Sequence, residues 1–260
     1  AVYPISASLI SDCCFQPFTL FYNPDKKSLG KMIASGPESL WRYLPLLPTT
    51  GIPDNNSPFF RVGSNHLERL PRLAMALGMD EDKVFALIED GYLSRSFKDR
   101  GVTVATQCVN ELNEPVFRYD TQGANSTGNL LKAVAAASYY AHQKSIILVH
   151  GEADPKMIEE AQQFGATVIK IMKDYKDVNS LTKLIMDYPQ FQRVAWINLA
   201  MRLIYGTGSE TLAFRAAEDL GWKGPDHYIA PFAAGLSAKG AYQGFLRLQK
   251  FGLVNDFTTR

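Results

Sequence analysis

From Ser96 onward the chain alternates short apolar runs with amphipathic stretches, and that alternation leaves few folds open. "SIILVHG", "TVIKIM", "VAWINL" and "HYIAPF" read as strands, and "VFRYD" as a further one. Between them lie helical patterns. Residues 97–112 put Val102, Ala105, Val109 and Leu112 on one face, and 129–142 form an alanine-rich helix. "DPKMIEEAQQFG" starts with Pro155 in its first turn and stops at Gly165. "DVNSLTKLIMDY", "SETLAFRAAEDLG" and "AKGAYQGFLRLQKFG" follow, the last two closed by Gly221 and Gly252. The strands are almost continuously apolar, so both of their faces must be covered. That pattern predicts an α/β fold with a parallel sheet between helices.

The first sixty residues carry less pattern. They read as irregular, and "GIPDNNSPFF" as a loop rich in turn formers. Leu67, Leu70, Leu73, Ala74 and Leu77 recur at helical spacing up to a stop at Gly78, with Pro71 near a helix start or a break. "KVFALIED" reads as a short strand and "KKSLGK" as a solvated face. No repeat or low-complexity segment is visible.

Lys+Arg at 27 against Asp+Glu at 26 gives no electrostatic case for nucleic acid or an anionic membrane as main partner. Hydrophobic residues at 46% are enough for a sizeable core. No apolar run approaches a membrane span and no secretory signal is visible. Three cysteines are too few for a disulfide framework, which predicts a reducing, cytoplasmic setting. Cys13 and Cys14 have no second pair and no nearby histidine, so no metal is expected. His66, His142, His150 and His227 are scattered and read as structural or surface residues.

Three segments carry chemistry. In "YLSRSFKDRG", Ser96 and Asp99 fit a capping box just before a helix, which puts Lys98 in the first turn. A cation there opposes the helix dipole. Either Lys98 is an exposed lysine behind a plain cap, or it is an amine held for chemistry, its ammonium form disfavoured by burial. "NSTGNLLKAVAAA" sets Ser126, Thr127, Gly128 and Asn129 between a strand and a helix. This is either a plain helix start or an anion site suited to a carboxylate. Ala133, Ala135, Ala136 and Ala137 would let that helix pack close to a sheet or a flat ring. In "APFAAGLSAKG" a strand runs through Ala233, Ala234, Gly235, Leu236 and Ser237 into a helix. That turn is either an ordinary connection or a phosphate cradle of backbone amides.

In this order and at this spacing, the three segments resemble the fold-type II enzymes dependent on pyridoxal phosphate, and among them the threonine synthases. "SFKDRG" resembles the cofactor-lysine motif, "STGN" the substrate-carboxylate loop, and "FAAGLS" occupies the place of the phosphate loop. "GPESLWRYLPLLP", "KDYKDVNSL", "INLAMRLIYGTGSETLAFRAAEDLGW" and "PDHYIAPFAAG" extend the likeness over roughly residues 36 to 255.

The resemblance implies two open α/β sheets with helices on both faces. Residues 1–60 would be an N-terminal extension. Residues 61–100 with 206–260 would form part of a large cofactor domain, and 101–205 a small α/β domain. Lys98 would form a Schiff base with pyridoxal 5′-phosphate, beside Phe97 and Asn129. Residues Ala233 to Ser237 would hold the cofactor phosphate. Ser126, Thr127, Gly128 and Asn129 would bind the carboxylate of O-phosphohomoserine. Arg100, Asn198 and Arg202 are candidates for its phosphate, or ordinary surface and cap residues. The product would be threonine, and a homodimer is a possible assembly.

Three departures from the family pattern stand out. Leu236 would crowd a phosphate, Arg95 sets a bulky charge near the ring, and the family continues past "GLVNDFTTR". The C-terminal part of the fold is therefore expected to be missing, leaving an open apolar edge. A serine/threonine dehydratase of the same fold, or a catalytically inactive relative acting as a binding protein, are the alternatives.

Overall fold

The fold is a computed structural model that describes residues 26–111, 119–172 and 174–255. Its centre is a four-stranded parallel sheet in the order β5-β4-β3-β6. The strands are β3 (Thr121–Asn125), β4 (Lys144–His150), β5 (Thr167–Ile171) and β6 (Val194–Trp196). Register is set by pairs such as Gly123↔Ile146 and Gly123↔Trp196. The side-chain period of two divides β4 between two cores. Ile147 and Val149 face one cluster and Leu148 faces another. Helices α4 (Asn129–Tyr140) and α5 (Pro155–Gln163) cover the first face. Helix α6 (Tyr175–Met186) covers the second, through Val178, Ile185 and Met186.

Three more helices build the other half: α3 (Lys98–Glu111), α7 (Arg202–Asp219) and α8 (Leu236–Lys250). Helix α7 is buried on nearly every side from Ile204 to Ala217. Its partners approach closely because glycines stand at the contacts. A Cβ on Gly208 would lie 2.6 Å from the Arg100 carbonyl oxygen of α3. A Cβ on Gly240 or Gly244 of α8 would lie 2.7 Å from Ser209 or Glu210 of α7. No side chain fits at those separations, so glycine spacing sets how α3, α7 and α8 nest.

Several expectations change here. The second open sheet is replaced, among the described residues, by a two-stranded antiparallel ribbon of β1 (Leu67–Arg69) and β2 (Phe85–Leu87). The helix expected from Leu67 starts only at Pro71, as α2 (Pro71–Ala76), because Leu67 to Arg69 pair with β2. "HYIAPF" forms no strand: among the described residues no other strand pairs with it. Ile229 and Phe232 are 96% and 79% exposed there. "VFRYD" lies mostly outside the described residues, and the strand that enters the sheet is the next segment, β3.

The early region is not irregular throughout. Helix α1 (Lys26–Ala34) buries Leu29 and Ile33, so "KKSLGK" opens a helix with an apolar face. Two 3-10 helices, Leu40–Leu46 and Pro58–Arg61, bring Trp41 and Phe59 into the main core. Residues 100 and 205 lie within α3 and α7, and one buried cluster joins Leu40, Val102, Ala124 and Tyr205.

Substituting Gly208→Ala is expected to cost about 1–3 kcal/mol, because backbone rather than a pliant side chain meets the new methyl. Gly128→Ala meets no atom within 4 Å. It should change stability by no more than about 0.5 kcal/mol. Urea unfolding of the two variants checks the pair, and equal losses would refute the close-approach argument.

Candidate functional site

The order β5-β4-β3-β6 reverses direction at β3, since β4 and β5 extend to one side and β6 to the other. In open parallel sheets a crevice forms at such a reversal, outside the carboxyl ends of the strands. Ser126 to Asn129 follow the carboxyl end of β3, and Asn198 follows that of β6. The turn at Ser126 is held by its amide donating to the Leu148 carbonyl at 3.2 Å, and by the Gly128 amide donating to Ser126 Oγ at 3.4 Å. Gly128 precedes α4 without a side-chain cap, which leaves first-turn amides for a ligand. Ser126, Thr127 and Gly128 are half-buried and Asn129 is exposed.

Asn198 has a different partner from the one its sequence position suggested. Its Nδ2 donates to the Asn125 carbonyl at 3.0 Å, and its Oδ1 accepts from the Asn125 amide at 3.3 Å. Asn125 is itself fully buried and donates through Nδ2 to Asn179 of α6. These three asparagines tie β3, β6 and α6 together at the carboxyl end of the sheet. Sequence reasoning missed Asn125 and Asn179. The available signal was a polar residue closing the buried run "TQGAN".

Lys98 is the first residue of α3. Its amide donates to Ser96 Oγ at 3.3 Å, so Ser96 does cap the helix. The Asp99 carboxylate receives the Ser96 amide, as the expected box requires, and is held by Ser94 as well. Asp99 accepts from the Ser94 amide at 2.8 Å and from Ser94 Oγ at 2.6 Å. Between those serines, Arg95 is exposed and left-handed, with φ 58°. A non-glycine residue there costs of order 1–3 kcal/mol, and such strain gathers at functional sites. The Lys98 ammonium lies 4.6 Å from the centroid of the half-buried Phe97 ring and has no ion pair among the described residues. Burial holds it below the ordinary lysine range.

Leu236 packs inward, 3.7 Å from where a Cβ on Gly206 would stand, and joins the cluster that contains Tyr205. It therefore points away from the turn, and the ring against Gly235 is that of Phe232, 3.0 Å from where a Cβ would stand. Gly235, at φ 72°, precedes α8 with no side-chain cap, and Ala233 and Ala234 are exposed. Ser237 is buried and donates to the Pro231 carbonyl at 3.0 Å. Because Gly206 meets Leu236 and Tyr205 meets Gly101, the starts of α3 and α8 both lie beside the first turns of α7. Lys98 stands one turn before Gly101 and the 233–237 turn opens α8, so both segments adjoin α7.

Arg100 does not join them. It is fully buried, with Nε and Nη2 each 2.7 Å from a Glu89 oxygen and Nη1 donating to Thr211 at 3.2 Å. Its guanidinium is spent on this pair and cannot also take a substrate phosphate. Arg202 is exposed at the start of α7, without an ion pair among the described residues.

An unpaired amine held below its usual range, with uncapped helix amides beside the same turns of α7, suits a small ligand carrying an aldehyde and a phosphate. Residues 59–254 match the family described as pyridoxal-phosphate dependent enzyme, and the chain belongs to that family, with the fold-type II architecture and pyridoxal 5′-phosphate as cofactor. It is 28% identical over 218 residues to a threonine synthase of Methanocaldococcus jannaschii, covering 84% of this chain and 51% of that protein. It is 27% identical over 236 residues to the threonine synthase of Methanosarcina acetivorans, covering 90% and 54%. The chain thus spans about half the length of these curated relatives. A solved structure of Escherichia coli diaminopropionate ammonia lyase, in complex with an aminoacrylate–PLP azomethine reaction intermediate, shares the fold. Its TM-score is 0.59 and its identity 22%, over 73% of this chain and 53% of that one.

Among the described residues no group of three His, Cys, Asp or Glu could hold a metal ion, and no helix is long and apolar enough to cross a membrane. Cys13 and Cys14 lie outside the described residues.

Glu89→Gln leaves the buried Arg100 charge without its counter-ion. The expected loss is about 3–5 kcal/mol, read from the urea midpoint. A loss below about 1 kcal/mol would contradict the pairing.

Proposed function

We propose that this chain carries the catalytic lysine of a lyase converting O-phosphohomoserine and water to threonine and phosphate. The observation that carries the chemistry is Lys98, half-buried and unpaired at the start of α3. Likeness to two threonine synthases over most of the chain supports the choice of substrate. When bound, the cofactor supplies an aldehyde for the amine and a ring that stores negative charge. The residues of this chain do the rest. Lys98 removes the proton at the substrate α carbon and moves protons at the β carbon as phosphate leaves the γ carbon. Water then adds at the β carbon. The hydroxyls of Ser126 and Thr127 and the Asn129 amide, in the turn that Gly128 closes, take the substrate carboxylate. The backbone from Ala233 to Ser237 takes the cofactor phosphate. Arg202, the exposed cation at the start of α7, takes the substrate phosphate. Asn198 supports the carboxylate loop from below through Asn125. The same reading makes the protein cytoplasmic, acting on a small molecule, with a homodimer as its assembly.

Added pyridoxal phosphate should give the purified wild type a visible absorbance that Lys98→Ala lacks. Phosphate should be released from O-phosphohomoserine. If serine or threonine gives an oxo acid while O-phosphohomoserine is inert, the protein is a dehydratase. If no absorbance develops, it is an inactive relative.

The pH dependence follows from the direction of the lysine shift. The neutral amine attacks the aldehyde, and burial moves its titration below 10.5. Cofactor uptake should therefore rise with pH through a midpoint below that value. A midpoint at or above 10.5 would contradict the burial seen at Lys98.

A further inference from the structure

Asp99 lies next to the lysine, yet its carboxylate turns away from it. It is fully buried, and both of its oxygens receive hydrogen bonds from Ser94, at 2.8 Å from the amide and 2.6 Å from the hydroxyl. No ion pair reaches it among the described residues. A buried carboxylate without a cation does little for stability. It does close a ring: Ser94 to Asp99 becomes a loop pinned at both ends. Arg95 stands inside that loop, exposed and left-handed at φ 58°. Such a conformation relaxes unless its surroundings hold it. Ser94 on one side, and on the other the Ser96 amide on Asp99 and the Ser96 cap on Lys98, are the restraints.

We propose that Asp99 is a positioning residue: through Ser94 it holds the strained 94–97 loop that keeps the Lys98 amine half-buried over Phe97. This rests on the reading of Lys98 as the cofactor lysine. Asp99 acts by geometry and not by charge, because burial is the cause of the lowered lysine titration. Among nearby charged groups, Glu89 acts on Asp99 and adds to the effect of burial, which pushes its carboxyl up to about 6. Arg100 is taken up by Glu89, and Tyr205 of α7 is a buried phenol.

The geometric claim separates two substitutions of equal charge. Asp99→Asn keeps both bonds, since its Oδ1 accepts from the Ser94 amide and its Nδ2 donates to Ser94 Oγ. Asp99→Ala keeps neither and also removes the acceptor of the Ser96 amide, whereas Ser94→Ala removes the hydroxyl bond alone. Cofactor-free proteins are labelled with acetic anhydride over a range of pH, and Lys98 acetylation is read by peptide mass spectrometry. In wild type and Asp99→Asn the lysine should titrate alike, below 10.5. In Asp99→Ala the loop relaxes, the amine is hydrated, and the midpoint moves up toward 10.5. Each unit of that movement lowers labelling at fixed pH about tenfold. Ser94→Ala should move the same way by less, and it carries the test if Asp99→Ala does not fold. An Asp99→Ala or, failing that, Ser94→Ala curve that overlays wild type overturns the proposal. So does an Asp99→Asn curve displaced as far as that of Asp99→Ala, which would mean charge and not geometry. Retention of cofactor colour by Lys98→Ala would instead overturn the cofactor-lysine reading and leave the labelling result standing.

Discussion

The buried pair of Arg100 and Glu89 is the interaction on which the site end of the molecule depends. A guanidinium taken wholly out of water must have its charge and its donors met by protein. Glu89 meets two donors, and Thr211 of α7 meets a third. The same group reaches Gly63, where a Cβ would stand 2.9 Å from Nη1 and where φ is 78°. Only glycine allows both the backbone turn and the approach. One side chain therefore ties the loop before β1, the end of β2 and the middle of α7 to the first turn of α3. Because Arg100 lies two residues after Lys98, whatever fixes the cation also fixes the lysine backbone.

The central sheet was legible because its physics is local and repetitive. Strands β4, β5 and β6 are apolar runs, and the helices between them carry clear starts and stops, such as Asp154 and Pro155 before α5. The ribbon, the loss of "HYIAPF" as a strand and the helix at Lys26 were not legible. Whether Leu67 to Arg69 join a helix or a strand depends on the distant Phe85 to Leu87, which no local spacing reports. Tyr228 within "HYIAPF" does pack, against the cluster of α7 and α8, while Ile229 and Phe232 face outward. Apolar character was read correctly there, but pairing was not encoded in it.

At the site, motifs located the segments but not the commitments of their side chains. Arg100 looked available because arginine suits phosphate, yet burial with Glu89 decides its role. Asn198 looked available for the same reason and instead grips β3. Leu236 looked obstructive and turns inward. Each of these outcomes depends on which neighbour lies within hydrogen-bond or van der Waals reach, a property of the packed chain. Lys98 was legible because its constraint is local: a serine cap, a first-turn position and an adjacent aromatic ring.

The state of that lysine follows from what its neighbours are doing. Two carboxylates, Asp99 and Glu89, lie close in sequence and would hold an ammonium strongly if either faced it. At about 4 Å and an effective dielectric near 20, such a pair is worth about 4 kcal/mol, or roughly three pKa units. Asp99 is engaged by Ser94 and Glu89 by Arg100, so neither charge is offered to Lys98. Burial then acts on the amine without opposition, and its effect is downward. The lowered titration here needs no dedicated cationic neighbour. It follows once the nearby anions are occupied elsewhere, by one buried arginine and one serine.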